Sequence, residues 1–323
     1  MANFPRIVFF GTPDFAVASL EQLVSNGFSI VAVVTTQDKP AGRGLKEKHS
    51  PVKEFALLHR IPVLQPMNMK DPLFLEQLKS FSPDLQIVIA FRMMPRQVWA
   101  LPPMGTFNLH ASLLPQYRGA APINWSIING EHETGVTTFF LNEQIDTGKI
   151  LLSDKVEIGP NETAGELHDR LMITGAALVL KTAERIVSKE IDAIHQESMI
   201  VDSASVKQAP KIFRENCRID WNQNVLNIHN FIRGLSPHPG AFTDIMLSDG
   251  STQCLKIFRA IPEQTDPHGS TGKFFTDNKS FLKVSAKNGY IHLEELQLPG
   301  RKVLNSRDFL RGFGRIFPET HGI

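Results

Sequence analysis

Cysteine is nearly missing from this chain: Cys217 and Cys254 are the only two in 323 residues. Two thiols cannot build a disulfide framework, and their spacing is not that of a metal-ligand set, so a reducing compartment is the simplest reading. Long apolar runs are missing as well. The opening, MANFPRIVFFG, holds a stretch too short for a signal-peptide core, and nothing later approaches the ~18 apolar residues of a membrane span. These absences predict a cytoplasmic protein with no membrane partner. Several catalytic signatures are lacking too: no GxSxG elbow, no HExxH and no GxxxxGK[ST] occurs. A covalent serine nucleophile, a zinc site and a P-loop therefore find no support, and no metal is expected.

What is present is a soluble globular composition, with 42% hydrophobic residues, 21% charged residues and a net charge of +1. The length suits two domains at ~100 to 200 residues each. Charge is shared unevenly between them. Residues 1–207 carry 19 Lys+Arg against 22 Asp+Glu, whereas residues 208–323 carry 15 against 11. The basic excess of the second part hints at a polyanionic partner.

The first part alternates short apolar runs with helical patterns. Arg6–Gly11 (RIVFFG), Ile30–Thr35, Pro62–Leu64 and Leu85–Phe91 read as strands, and Phe15–Asn26, Val52–Arg60 and Pro72–Phe81 read as helices. Near-continuous apolar strands between helices predict an α/β domain, Rossmann-like, with a mostly parallel sheet covered on both faces. The first turn, GTPDFA, has one of the three glycines of a dinucleotide fingerprint. A plain turn with Thr12 or Asp14 as N-cap is the stronger reading there. Thr36–Lys53 reads as a long structureless loop carrying Lys39, Arg43, Lys46, Lys48 and Lys53, either a solvated basic loop or an arm that orders on a phosphate backbone. A helix over Thr163–Lys189 closes the domain. Residues 190–209 lack periodicity, which suits a linker, and beyond them short strands with a Lys287-Asn288-Gly289 turn predict a smaller OB-like β-barrel. The expected division is 1–189, a linker over 190–208, and 209–323.

The tract Phe107–Ile123, FNLHASLLPQYRGAAPI, concentrates the chemistry. On a strand Asn108 and His110 point the same way, and the edge where a parallel strand ends is where ligands sit. A lone acid follows in IDTG, Asp146. An amide, an imidazole and a carboxylate suit acyl transfer between two external molecules: Asn108 and His110 can donate to a carbonyl oxygen, and Asp146 can orient and charge the imidazole. Spacing alone leaves a core histidine and a structural asparagine equally open.

The run FNLHASLLPQYRGAAPI, with TGVTTFF, IDTG and the opening RIVFFGTPDFA, resembles the formyltransferases that use 10-formyltetrahydrofolate, whose mark is Asn-x-His-x-SLLP followed by an Asp. The resemblance extends over DKPAGRG…SPVK and into APKIF, IDW and IRGLSPHPGAF, nearly the whole chain. It implies that Asn108, His110 and Asp146 are catalytic and that Ser112, Leu113, Leu114 and Pro115 border the folate cosubstrate. It implies further that the basic loop, Arg43 foremost with Lys39 and Lys46, meets the acceptor end of a tRNA, initiator methionyl-tRNA, which an OB-like second domain also contacts. A monomer is expected. In one place the chain departs from the family, where many members read Ala-Tyr-Gly and this one reads Ala90-Phe91-Arg92. A sugar-nucleotide formyltransferase and a non-catalytic RNA-binding protein are the alternatives; the basic Gly-rich loop and basic second domain favour tRNA over the first, and the second leaves the trio idle.

Overall fold

A computed structural model describes residues 5–41, 46–246, 250–267 and 269–313. The first part contains strands β1 (Arg6–Gly11), β2 (Ser29–Val34), β3 (Lys39–Ala41), β4 (Lys46–Lys48), β5 (Val63–Leu64), β6 (Leu85–Ile89), β7 (Thr106–His110), β8 (Arg118–Gly119), β9 (Glu133–Phe140) and β10 (Ile150–Glu157). Its helices are α1 (Asp14–Ser25), α2 (Pro51–Leu58), α3 (Pro72–Ser80), α4 (Arg96–Trp99), α5 (Pro122–Ile128) and α6 (Ala164–Ser188). Seven of the strands form one sheet in the order β10-β9-β7-β6-β1-β2-β5. The run from β7 to β5 is parallel, and β9 and β10 add an antiparallel edge. Ile7, Val8, Phe9 and Phe10 of β1 are all fully buried, as a strand covered on both faces requires.

Local sequence explains where the helices begin. Ser50 Oγ accepts the Lys53 N–H at 3.1 Å with Pro51 in the first helical turn, and Asp71 Oδ1 accepts the Leu73 N–H at 3.0 Å ahead of Pro72. At α1 the expected cap does not form. Pro13 takes the N-cap position in an extended conformation, Asp14 falls inside the first turn, and the buried Thr12 Oγ1 has no partner.

The Thr36–Lys53 stretch is not structureless. β3 and β4 pair antiparallel, and Gln65 ties the base of that hairpin by donating to Thr36 O at 2.7 Å and Asp38 Oδ1 at 3.1 Å. Lys53 pairs with Asp38 at the base of the hairpin. Arg43 lies outside the described residues, and only the backbones of Lys39 and Lys46 lie within them.

By contacts the chain divides into two compact units. One holds Met1–Pro122, Glu133–Glu157 and His168–Gln208; the other holds Ile123–His132, Ile158–Leu167 and Ala209–Ile323. The later strands are β11 (Gln208–Ala209), β12 (Ala241–Met246), β13 (Thr252–Gln264), β14 (Phe274–Thr276), β15 (Leu282–Ala286), β16 (Gly289–Gln297) and β17 (Leu304–Asn305), with helices α7 (Val225–Gly234) and α8 (Ser306–Phe313). β12-β13-β16-β15-β14 form an antiparallel sheet with β17 on β16, the half-barrel expected of a small OB-like domain. Its core takes Ile228 and Ile232 from α7, Ile257 and Leu293 from the sheet and Phe309 from α8. Among the described residues no helix is long and apolar enough to cross a membrane.

Candidate active site

β7 lies between β6, its parallel neighbour, and β9, its antiparallel one. Its alternation sends Leu109 toward Gly175 of α6, where a Cβ would come within 2.7 Å of Leu109 Cδ2, and sends Asn108 and His110 to the other face. Asn108 is half-buried, and its amide has no hydrogen-bond partner among the described residues. His110, 6% exposed, sits at the carboxyl end of the strand against the edge of Phe139, with ring centroids 6.5 Å apart.

The SLLP turn that follows is held from inside. Ser112 Oγ donates to Gln116 O at 2.6 Å. Thr137 Oγ1 donates to Ser112 O at 2.7 Å and accepts the Leu114 N–H at 3.2 Å. Ser112, Leu114 and Pro115 are thereby buried, and of the four only Leu113 is half-exposed. The turn ends at Tyr117, whose φ of 60° aims its carbonyl back at His110 Nε2, 2.8 Å away. A carbonyl only accepts, so Nε2 carries a proton and Nδ1 is the ring nitrogen left for chemistry.

Nδ1 faces Asp146. The separation to Oδ2 is 3.9 Å, too long for a hydrogen bond, with both side chains largely buried. Oδ2 accepts instead from the Gly119 N–H at 3.0 Å, and no described residue bonds Oδ1. Asp146 adopts a φ of 54°, unusual for a residue other than glycine. The IDTG turn is fixed by Gly148 as well, because a Cβ there would come within 1.6 Å of Phe140 O.

Sequence reading missed Gln196. It lies in the 190–208 stretch, which has no periodicity to reveal a buried face, yet it is fully buried. Its Nε2 donates to the carbonyls of Asp146 (3.0 Å) and Gly148 (2.8 Å), and its Oε1 accepts from Arg118 Nε (3.0 Å) and Nη2 (2.7 Å). The same stretch reaches the SLLP turn, where Tyr117 N–H donates to Lys207 O at 2.7 Å.

Arg92 turns to a neighbouring segment. Its guanidinium donates to Met67 O at 3.1 Å and to Pro66 O, and lies over the Phe91 ring, while Ala90 takes the left-handed φ of 47° that a glycine would otherwise supply. A groove of about 550 Å³ runs beside it, lined by Met67, Lys70, Met93 and Arg96 among others.

Comparison with known proteins places this arrangement. The family profile described as "Formyl transferase" matches residues 5–182, and "Formyl transferase, C-terminal domain" matches residues 211–314. The methionyl-tRNA formyltransferase of Parabacteroides distasonis is 50% identical over 318 residues, covering 98% of this chain and 98% of its own. That of Bacteroides thetaiotaomicron is 49% identical, covering 95% of each. Among solved structures, the N-formyltransferase of Helicobacter canadensis, in complex with folinic acid and dTDP-3-aminofucose, is alike in fold with a TM-score of 0.65, 22% identity, and coverage of 90% of this chain and 99% of its own. HypX of Aquifex aeolicus, in complex with tetrahydrofolic acid, gives a TM-score of 0.64 at 17% identity, covering 98% of this chain and 49% of its own. On the two matched profiles and the full-length relatives, the chain belongs to the formyl transferase family, among the methionyl-tRNA formyltransferases.

Proposed function

We propose that this protein transfers the formyl group of 10-formyltetrahydrofolate to the α-amino group of methionine esterified to initiator tRNA, with Asn108, His110 and Asp146 as its catalytic residues. One observation carries the chemistry: an unpartnered amide and an imidazole share a strand face, and a carboxylate oxygen stands 3.9 Å from the imidazole Nδ1. The choice of acceptor is supported by relatives about half identical along their whole length.

The donor set suits the cosubstrate. A formyl oxygen only accepts; Asn108 Nδ2 is a donor not committed elsewhere, and His110 Nδ1 becomes one when the ring, already protonated at Nε2, carries a second proton, a form the Asp146 carboxylate beside it favours. When bound, 10-formyltetrahydrofolate supplies the activated formyl group. Asn108 and His110 Nδ1 hold its oxygen as negative charge grows there. Asp146 Oδ2 is engaged by Gly119, which leaves Oδ1 to take a proton from the attacking amine and pass it to N10 of the folate as the bond from N10 to the formyl carbon breaks and tetrahydrofolate leaves. Free α-amines have a pKa of ~8, so part of the acceptor is already neutral near pH 7. Ser112, Leu113, Leu114 and Pro115 would border the folate, Leu113 with its side chain and the buried three chiefly through their backbone. Lys39, Arg43 and Lys46 would meet tRNA phosphates. In this reading residues 1–189 carry the chemistry, 190–208 connect, and 209–323 bind tRNA. All three catalytic residues come from one chain, so a monomer suffices, and the acceptor places the protein in the cytoplasm.

Incubation with 10-formyltetrahydrofolate and methionyl-tRNA tests the proposal, with N-formylmethionyl-tRNA as the expected product. Turnover of a sugar nucleotide or glycinamide ribonucleotide in its place would sink the choice of acceptor.

A further inference from the structure

We propose that Gln196 is a positioning residue for formyl transfer: it acts through Asp146 by clamping the turn that presents the carboxylate to the strand that carries Gly119. The inference rests on the functional reading above.

The argument begins with burial. A glutamine amide has two donor hydrogens and an acceptor oxygen, and removing all of them from water is costly unless each finds a partner. Gln196 is fully buried, and both ends of its amide are used. Nε2 bonds two carbonyls of one turn, Asp146 O and Gly148 O, while Oε1 bonds two nitrogens of one guanidinium, that of Arg118. Arg118 is followed directly by Gly119, whose N–H bonds Asp146 Oδ2. The contacts therefore close a ring: Asp146 carboxylate, Gly119 backbone, Arg118 side chain, Gln196 amide, Asp146 carbonyl. Asp146 is gripped at both its side chain and its backbone, and Gln196 supplies the backbone half.

That grip has work to do, because the Asp146 backbone sits at a φ of 54°, a left-handed conformation that is strained for a residue with a side chain and relaxes unless the surroundings enforce it. Only one other described contact fixes the carboxylate, and the gap of 3.9 Å to His110 Nδ1 is maintained without a direct hydrogen bond. A gap of this kind depends on the scaffold at either side. His110 has its own tether in Tyr117 O. Gln196 is the tether on the opposite bank.

A double-mutant cycle on kcat tests this. Gln196→Ala is expected to lower kcat for methionyl-tRNA formylation about 10- to 100-fold, the scale of a misplacement near 1 Å, with KM for both substrates changing less than about 3-fold. In an Asp146→Asn background the same substitution is expected to lower single-turnover formylation by less than about 3-fold, since the group it positions no longer acts. A merely structural role would lower activity by the same factor in both backgrounds, and that result, or an unchanged kcat in the single variant, would overturn the inference. Gln196→Glu provides a second route should the alanine variant fold poorly. Its carboxylate keeps the Arg118 bonds and cannot donate to the two carbonyls, so it is expected to fold and to show the same loss of kcat; normal kcat would count against the clamp. A wild-type protein inactive on methionyl-tRNA would overturn the functional reading and this inference together, whereas an active wild type with an additive cycle overturns this inference alone.

Discussion

Of the side chains in the candidate trio, Asn108 has the least company. His110 is tied to Tyr117 and Asp146 to Gly119, but the Asn108 amide bonds nothing among the described residues. A half-buried amide without an internal partner is available to an outside acceptor at little cost to the fold. Asn108→Ala is therefore expected to leave the melting temperature close to that of the wild type. Its formylation kcat should fall roughly 10²- to 10³-fold, as for loss of one donor to a developing oxyanion. Steady-state kinetics beside a thermal melt checks both halves of the expectation. The facing of Asn108 and His110 was legible from strand alternation alone. The tautomer was not, because the atom that sets it is the Tyr117 carbonyl, turned back by a left-handed residue with nothing in its identity to announce it.

At the level of elements, the strands with unbroken apolar runs were readable and the hairpin of β3 and β4 was not. Apolar runs such as Ile7–Phe10 report burial directly, whereas the described strands of the hairpin, Lys-Pro-Ala and Lys-Glu-Lys, carry no apolar run and the hairpin owes its base to Gln65 and Asp38. β17 and α8 escaped for a similar reason: the first is two residues long, and the second follows it immediately. Helix α7 carries a further consequence. His229 is buried there between the carbonyls of Ala260 and Pro160, at 3.0 and 3.2 Å; burial, with Arg233 adding to it, holds its imidazole below the ordinary histidine range and outweighs the two carbonyl acceptors, which pull the other way. A base whose folded pKa is depressed binds fewer protons in the folded state than in the unfolded one. Its stabilising contribution is complete above the unfolded value of ~6.5 and is lost as pH falls through the lower folded value. The thermal midpoint is expected to drop as pH falls below the unfolded value of ~6.5, and less so in His229→Gln. Equal slopes in the two proteins would count against it.

For the whole molecule, the charge asymmetry was legible and the interleaving of the two units was not. Composition reports that residues 208–323 are basic, with 15 Lys+Arg against 11 Asp+Glu. If tRNA is the acceptor, its affinity should fall steeply with salt, and replacing Lys39, Arg43 or Lys46 by Gln should each lower the log–log slope by about 1. A slope indifferent to all three would remove the basic hairpin from the interface. Interleaving leaves no trace in composition or periodicity, because Ile123–His132 and Ile158–Leu167 are ordinary stretches whose partners lie far along the chain. Asn124 Nδ2 donates to Gly234 O across 110 positions, and Arg233 donates to Glu162 O across 71. On a ribosome moving at ~5–20 residues per second, those early segments wait several seconds for helix α7 to emerge. Through that interval the Asn124 amide and the Glu162 carbonyl lack the α7 partners they have in the finished protein. The nascent chain is most open to chaperone capture or misassembly in that window, and it closes only once the tail is made.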